Sequence, residues 1–360
     1  MESKKIQLKK LKKFWKGKRI FLTGHTGFKG SWMCILLNLL GAKIIGFSLK
    51  PEKKSLFLLA DIRQILKKNI YSDIVNLKKL YKEIQLSKPD IIIHLAAQPL
   101  VSYSYNHPVY TFNTNVMGTL NVLHCIKKFK SIKSAVIVTT DKVYKIKGHK
   151  YYIEEDELGG HDPYSSSKVC SEIIANSYIK SFCNENTNLK CVSTARSGNV
   201  IGGGDYSKDR LVPDIFRAIE NKKKLIIRNP NSIRPWQHVI EPSVGYLLLA
   251  QKNYKKNKNA LSSSWNFGPN YKNFKSVMYI VNKMQKFYKI KFSKFHKRSF
   301  HETQTLKLNS EKSKKYLNWK PIWNLNDTLN KTIEWDMLNK NGIHGKEICE
   351  NQILSYFNIN

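Results

Sequence analysis

The sequence predicts an α/β protein: a Rossmann-type doubly wound parallel sheet with a smaller C-terminal substrate-binding part. Three observations carry this. A strand, a glycine turn, a helix and a second strand follow one another within residues 18–47, the context a dinucleotide fingerprint requires. Two further apolar, β-prone runs, Asp90–Leu95 and Ser134–Thr140, alternate with helix-like segments, the rhythm of parallel strands joined by crossover helices. Hydrophobic residues make up 41% of the 360, enough to bury a core and to exclude global disorder.

The chain divides into a basic N-terminal extension (1–17), a dinucleotide-binding domain over 18–195 with segments returning from about 229–250, and a substrate-binding part over 196–228 and 251–360. The first strand, Lys18–Thr23, runs into Gly24-His25-Thr26-Gly27-Phe28-Lys29-Gly30. Glycines let the backbone approach a pyrophosphate, whose charge the N-terminus of the following helix, Ser31–Leu40, favours. Lys29 is either an extra cation beside a phosphate or an exposed lysine with no ligand. The second strand, Lys43–Phe47, leads into Ser48-Leu49-Lys50 and lacks the acid that usually holds the NAD ribose. Ser48 can bond a hydroxyl and Lys50 can attract a 2′-phosphate, so this strand leaves NAD and NADP both open.

Asp73 and Ile74 mark a strand end. A helix over Tyr81–Leu86 precedes the strand Asp90–Leu95, which opens onto Ala96-Ala97-Gln98-Pro99, small residues that admit a ligand to the crevice. A long helix, Phe112–Phe129, carries Asn115 and Gly118. The strand Ser134–Thr140 ends in Thr139-Thr140-Asp141-Lys142, ionisable groups bunched where a buried strand stops. After a polar connection (145–163) a helix runs to about Cys183, then a strand, Leu189–Ala195, and a glycine-rich loop from Arg196 to Asp205. Beyond it the rhythm breaks into a helix (Leu211–Ile219), a strand (Leu225–Ile227), a helix (Tyr246–Lys252) and a strand (Ser264–Phe267). Arg228 and Arg234 suit phosphate oxygens. The last ninety residues read as a small helical cap.

The chemistry centres on Asp162-Pro163-Tyr164-Ser165-Ser166-Ser167-Lys168. Four residues apart, Tyr164 and Lys168 share a helix face, and Pro163 fits the first turn. A nearby cation favours the phenolate and lowers its pKa, making the tyrosine a base for an alcohol. Such a pair alone is more often a solvated face, so its surroundings make the case.

A formal charge of +36 raises nucleic-acid binding, but the lysines are spread over the whole chain and no zinc-finger, zipper or RNA-binding signature accompanies them. Attraction of anionic nucleotides is the narrower inference. Six cysteines without Cys-x-x-Cys spacing suit reduced thiols in a cytoplasmic protein rather than a disulfide framework or a metal site. No apolar run is long enough to span a membrane.

Together, Thr23–Gly30, His94-Leu95-Ala96-Ala97-Gln98, Thr140-Asp141-Lys142 and Tyr164–Lys168 resemble the extended short-chain dehydrogenase/reductase family, over about residue 14 to past 335. Trp15–Arg19, Gly159–Tyr164, Arg196–Asp205 and Arg234–His238 are similar to its branch that removes water from CDP-glucose. The resemblance implies NAD as cofactor and an internal redox dehydration. Tyr164, aided by Lys168, would take the 4-hydroxyl proton while Thr140 bonds O4. Asp141 as acid and Lys142 as base would eliminate water, which needs a protonated carboxyl and a neutral amine. It implies a cofactor site lined by Gly24, His25, Gly27, Phe28, Lys29, Gly30, Asp73, Ile74, Leu95, Ala96, Ala97, Thr114, Tyr164 and Lys168. It implies substrate contacts from Gln98, Asn199, Arg228 and Arg234, no metal, and a homodimer or dimer of dimers joined through the helices around Asn115 and Tyr164. Three rivals stand beside it: a nucleotide-sugar 4-epimerase, a dehydratase for another nucleotide sugar, and a basic nucleotide-binding protein without catalysis.

Overall fold

The computed structural model describes residues 4–148, 151–183, 191–255, 263–294 and 306–359. Seven parallel strands form the central sheet: β1 (Arg19–Thr23), β2 (Lys43–Ser48), β3 (Lys68–Tyr71), β4 (Ile91–His94), β5 (Ser134–Val138), β6 (Cys191–Ser197) and β7 (Ser264–Phe267). Their spatial order is β7-β6-β5-β4-β1-β2-β3. The direction of winding therefore reverses between β1 and β4, and in open α/β sheets the crevice outside the strand ends at such a point is where ligands bind.

Alternate residues of a strand face opposite sides of the sheet, and the sequence supplies apolar side chains to both. Ile20, Leu22, Ile91, Ile93 and Val136 pack with Trp32, Ile35 and Leu36 of the helix Phe28–Leu39. Phe21, Phe47, Ile92 and Ile137 pack on the other face with Leu80, Ile84, Val122 and Ile126. Each such side chain contributes roughly 1.5–3 kcal/mol on burial, so the sheet is a rigid platform for the loops at its carboxyl edge.

Four elements differ from the sequence reading. The basic extension forms a helix, Lys4–Trp15, whose Leu8, Leu11 and Trp15 are buried in the first core while most of its lysines face outward. The long helix expected over Phe112–Phe129 is divided: Pro108–Phe112, a π-helical turn at Asn113–Met117, then Gly118–Lys128. Such turns occur often at functional sites. Finally, β7 and the helix Gly345–Tyr356, placed by sequence in the substrate-binding part, belong to the sheet domain. β7 pairs with β6, and Ile348, Cys349 and Ile353 share a core with the Phe28–Leu39 helix. The apolar spacing of those residues is visible in sequence, but not which surface they cover. The first two residues of the expected strand Leu189–Ala195 lie outside the described residues.

The carboxyl-terminal helix is anchored through Glu241, a fully buried carboxylate. It accepts hydrogen bonds from the Ile322 and Trp323 amides at 2.8 and 2.7 Å and from the Tyr356 hydroxyl at 2.8 Å. Burial pushes its pKa up to about 7, because the charged form loses more solvation than these donors return.

Candidate active site

At the switch point Thr23 ties β1 to β4. Its hydroxyl bonds His94 Nδ1 at 2.7 Å and accepts from the Leu95 and Ala96 amides at 3.1 and 3.2 Å. Gly24 follows at φ +73°, and a Cβ there would lie 2.7 Å from the Ala96 nitrogen, so only glycine lets the two strand ends approach this closely. The result is a backbone cradle: Gly27 exposed, the helix Phe28–Leu39 starting behind it, and Leu95, Ala96 and Ala97 partly open beside it. Thr114 and Ile74 are buried on the far side, and the half-buried Asp73 carboxylate receives the Val75 amide at 3.1 Å. Thr26 bonds Ser48 at 2.8 Å, fixing the hydroxyl that stands where an acid was missing. A dinucleotide fits this set of a glycine cradle, a helix N-terminus and a carboxylate past the third strand.

His25 and Lys29 leave that cradle in different directions. The His25 ring is buried against Gly46 and Phe57 and bonds Asn69 at 2.7 Å, so its side chain anchors the loop from below instead of facing a cofactor. Lys29 reaches toward Asp141 and Lys168: its Nζ donates to Ser197 Oγ at 3.1 Å. Burial, reinforced by the cations Arg210 and Lys168, lowers its pKa to about 7. Phe28 opens the helix with its ring near Gly202.

The Tyr164 helix, Pro163–Phe182, starts where the sequence places it. Asp162 caps it, accepting from the Ser165 amide at 2.9 Å, with Pro163 in the first turn. Ser167 and Ser171, both fully buried, let the helix close on the π turn. Asn115 donates to Ser167 Oγ at 2.9 Å, and Ser171 donates to the Asn115 carbonyl at 2.8 Å. Tyr164 and Lys168 are almost wholly buried, and Lys168 Nζ donates to the Val138 carbonyl at 3.2 Å, at the very end of β5.

The sequence reading expected a lowered phenol. Burial instead pushes Tyr164 up to about 12, against a hydrogen bond with Thr140 and the positive charge of Arg210. Lys168 is itself lowered to about 8 by burial. Desolvation of the phenolate outweighs the cations in the protein alone.

Thr140 links the two halves of the site, hydrogen-bonding Tyr164 and donating to Asp141 Oδ1 at 3.1 Å. Asp141 is 2% exposed, and its Oδ2 has no partner among the described residues. Its pKa is raised by burial, although Lys142, Thr140, Arg234 and Lys29 pull the other way, the direction the expected acid role requires. Gly198 passes directly over it: a Cβ there would sit 2.9 Å from Oδ2 and 2.4 Å from Pro235. Lys142, beside Asp141 in a short turn capped by Thr140, is only half-buried.

The expected substrate contacts divide. Arg234 is buried within electrostatic reach of Asp141, and Asn199 is half-buried in the loop after β6. Arg228 lies at the exposed rim, paired with Asp209 at 3.2 Å. Gln98 is spent internally: its amide donates to Thr111 and the Leu100 carbonyl at 2.9 and 3.1 Å, and its oxygen accepts the Leu100 amide at 2.6 Å. It is a strut of the loop, not a free ligand. Three participants escaped the sequence reading: Arg210, Ser197 and Tyr246, whose hydroxyl donates to Ser197 at 2.8 Å. Only the fold brings the helix Ile240–Tyr254 under β6, and no motif marks it. Among the described residues no cluster of His, Cys, Asp and Glu could hold a metal, and no helix is long and apolar enough to cross a membrane.

The family model described as GDP-mannose 4,6 dehydratase matches residues 21–332. A CDP-glucose 4,6-dehydratase of Salmonella typhimurium is 42% identical over 353 residues, 96% of this chain and 97% of that protein. Among solved structures, a dTDP-glucose 4,6-dehydratase of Bacillus anthracis in complex with NAD superposes with a TM-score of 0.74 at 25% identity, covering 90% of this chain and 98% of the other. A dTDP-glucose 4,6-dehydratase double mutant of Streptomyces venezuelae, with NAD bound, gives a TM-score of 0.78 at 21% identity over 90% and 98% of the two chains.

Proposed function

The chain belongs to the GDP-mannose 4,6-dehydratase family, and we propose that it dehydrates CDP-glucose to CDP-4-keto-6-deoxyglucose. The observation that carries this is Asp141: a buried carboxyl whose pKa burial raises, with one oxygen that has no partner among the described residues, joined through Thr140 to the Tyr164 phenol. A 4-epimerase needs the phenol and Lys168 but no buried acid beside them. The choice of CDP-glucose rests on the similarity to the Salmonella protein along nearly the whole of both chains.

The cradle at Gly24, Gly27 and the first turn of the following helix would hold NAD, with Asp73 and Ser48 toward its ribose. NAD held there would supply a hydride acceptor for C4 and a donor for C6 of the sugar, and the positive charge of its oxidised ring would favour phenolate. Tyr164 removes the 4-hydroxyl proton, and Thr140 steadies O4. The 4-keto group acidifies C5–H, which Lys142 removes while Asp141 protonates the departing 6-hydroxyl, so one water leaves; a proton returns to C5 as hydride is delivered to C6, and no net oxidation results. Arg234 and Asn199 would hold the diphosphate, with Arg210 at the mouth beside Tyr164.

The protein would act in the cytoplasm as a dimer or dimer of dimers. Val109, Phe112, Met117 and Ile173 are 81, 36, 43 and 57% exposed on the π-turn segment and the Tyr164 helix, an apolar face that a second copy would cover. The test of substrate and reaction is mass spectrometry of products from a panel of nucleotide-glucose donors. Loss of one water from the CDP donor alone supports the reading, and loss from a different donor alone reassigns the base.

A further inference from the structure

We propose that Glu172 is a positioning residue, which sets both the place and the charge of Lys168 by fastening the Tyr164 helix to the carboxyl end of β5, the second half of β6 and the first residue of β7. This rests on the dehydratase reading only where turnover is measured. Tyr164, Lys168 and Glu172 follow at spacings of four on one helix face, and all three are buried.

The Glu172 carboxylate is filled from three strands. From the end of β5, Thr139 donates at 2.5 Å, and from β6 Thr194 donates at 2.7 Å. Arg196 of β6 gives a forked pair at 3.0 and 2.9 Å, and Ser264 of β7 donates at 3.1 Å. Thr139 directly follows Val138, whose carbonyl receives Lys168 Nζ at 3.2 Å. The fastening point of the helix and the seat of the ammonium are therefore adjacent backbone positions. A shift of the carboxylate moves Lys168 along β5, and Tyr164 one turn away moves with it.

The surrounding charges show why the carboxylate matters. Lys168 faces Lys29 from the glycine loop and His94 from β4, where burial and Lys168 together hold the imidazole neutral, with a pKa of about 3. Asp141 and Lys142 lie past the end of β5, Arg196 on β6, and Tyr164 on its own helix. Of these groups Glu172, one turn along the same helix, is the carboxylate whose charge supports the ammonium against burial. Arg196 also donates to the Tyr144 hydroxyl at 2.8 Å and the Glu154 carbonyl at 3.0 Å, so it is held in place and cannot follow a displaced partner.

The experiment compares the parent with Glu172→Gln, Glu172→Asp and the double variant Glu172→Gln/Arg196→Gln, which avoids stranding a buried guanidinium. Turnover of CDP-glucose is followed against pH, and Lys168 is titrated by 15N NMR in lysine-labelled protein. The expected result is a kcat about tenfold lower in the Gln variants, KM within about twofold, and an alkaline limb displaced by about one pH unit to lower pH. Glu172→Asp should recover part of both. Should Glu172→Gln fail to fold, the double variant and the Asp variant decide. A folded double variant with the parent's kcat and the parent's Lys168 titration overturns the proposal. A parent that leaves CDP-glucose unchanged counts against the dehydratase reading alone, because the NMR titration still reports on Glu172.

Discussion

Two alanine substitutions in the glycine loop should separate folding from cofactor binding. In Gly24→Ala the new Cβ lies 2.7 Å from the Ala96 nitrogen and 2.8 Å from the Leu95 carbonyl carbon, at a φ of +73°. Both neighbours are backbone of the β4 end and cannot turn aside. The left-handed conformation costs roughly 1–2 kcal/mol and the overpacking about 1–3 kcal/mol, for a total of about 2–5 kcal/mol. Melting should fall by roughly 5–10 °C. Gly27→Ala is the contrast: φ is −78°, and its Cβ would meet only the Gly24 carbonyl oxygen at 3.5 Å, an ordinary contact. Stability should stay within about 1 kcal/mol. NAD affinity should nevertheless fall tenfold or more, about 1.4 kcal/mol, since the methyl fills the exposed face that a pyrophosphate must approach. Differential scanning calorimetry and isothermal titration with NAD read the two effects. A Gly27→Ala protein that binds NAD as tightly as the parent would refute the cradle, and a Gly24→Ala protein that melts with the parent would refute the close approach.

Further perturbations address the chemistry and its supports. Asp141→Asn should lower dehydration by about 10²–10⁴-fold, the range for a general acid, while the fold survives because burial already favours the neutral form; steady-state kinetics and circular dichroism check both. Lys142→Ala should lose comparable activity, and turnover at the parent rate would show that Lys142 is not the base. Arg196→Met, which leaves Glu172 without its forked guanidinium partner, should destabilise by about 3–5 kcal/mol in urea melts. For Glu241 the folded pKa is raised from 4.5 to about 7, so the folded state binds the extra proton. Stability is therefore greatest below pH 4.5, as far as this group is concerned, and falls on the order of 3 kcal/mol as pH rises to about 7. Glu241→Gln can still accept the Ile322 and Trp323 amides, and should flatten that slope in denaturation measured between pH 5 and 8.

Much of the fold was legible because local signals agreed with one another. The strand–turn–helix at 18–40 and the helix start at Pro163 depend on neighbours in sequence, and both form, the first helix opening at Phe28 instead of Ser31. The helix at Phe112–Phe129 was misread because a π turn leaves the apolar spacing almost intact. His25 illustrates the limit for the site. Its place in the loop suggested a cofactor contact, but Gly46 leaves room for the ring below the sheet edge. Tyr164 shows a second limit: helical spacing reveals the partner cation but not the burial that opposes it. Tyr246 and Arg210 reach the site through tertiary packing alone. Nothing in their own segments sets them apart from other tyrosines and arginines.

The central claim is that one hydride leaves C4 and returns to C6 of the same sugar while water departs between. CDP-glucose deuterated at C4, incubated with the purified protein and analysed by mass spectrometry and NMR, tests it directly. The account predicts a product lighter by one water, with the deuterium at C6. A product of unchanged mass carrying deuterium at an inverted C4 would contradict it and indicate epimerisation.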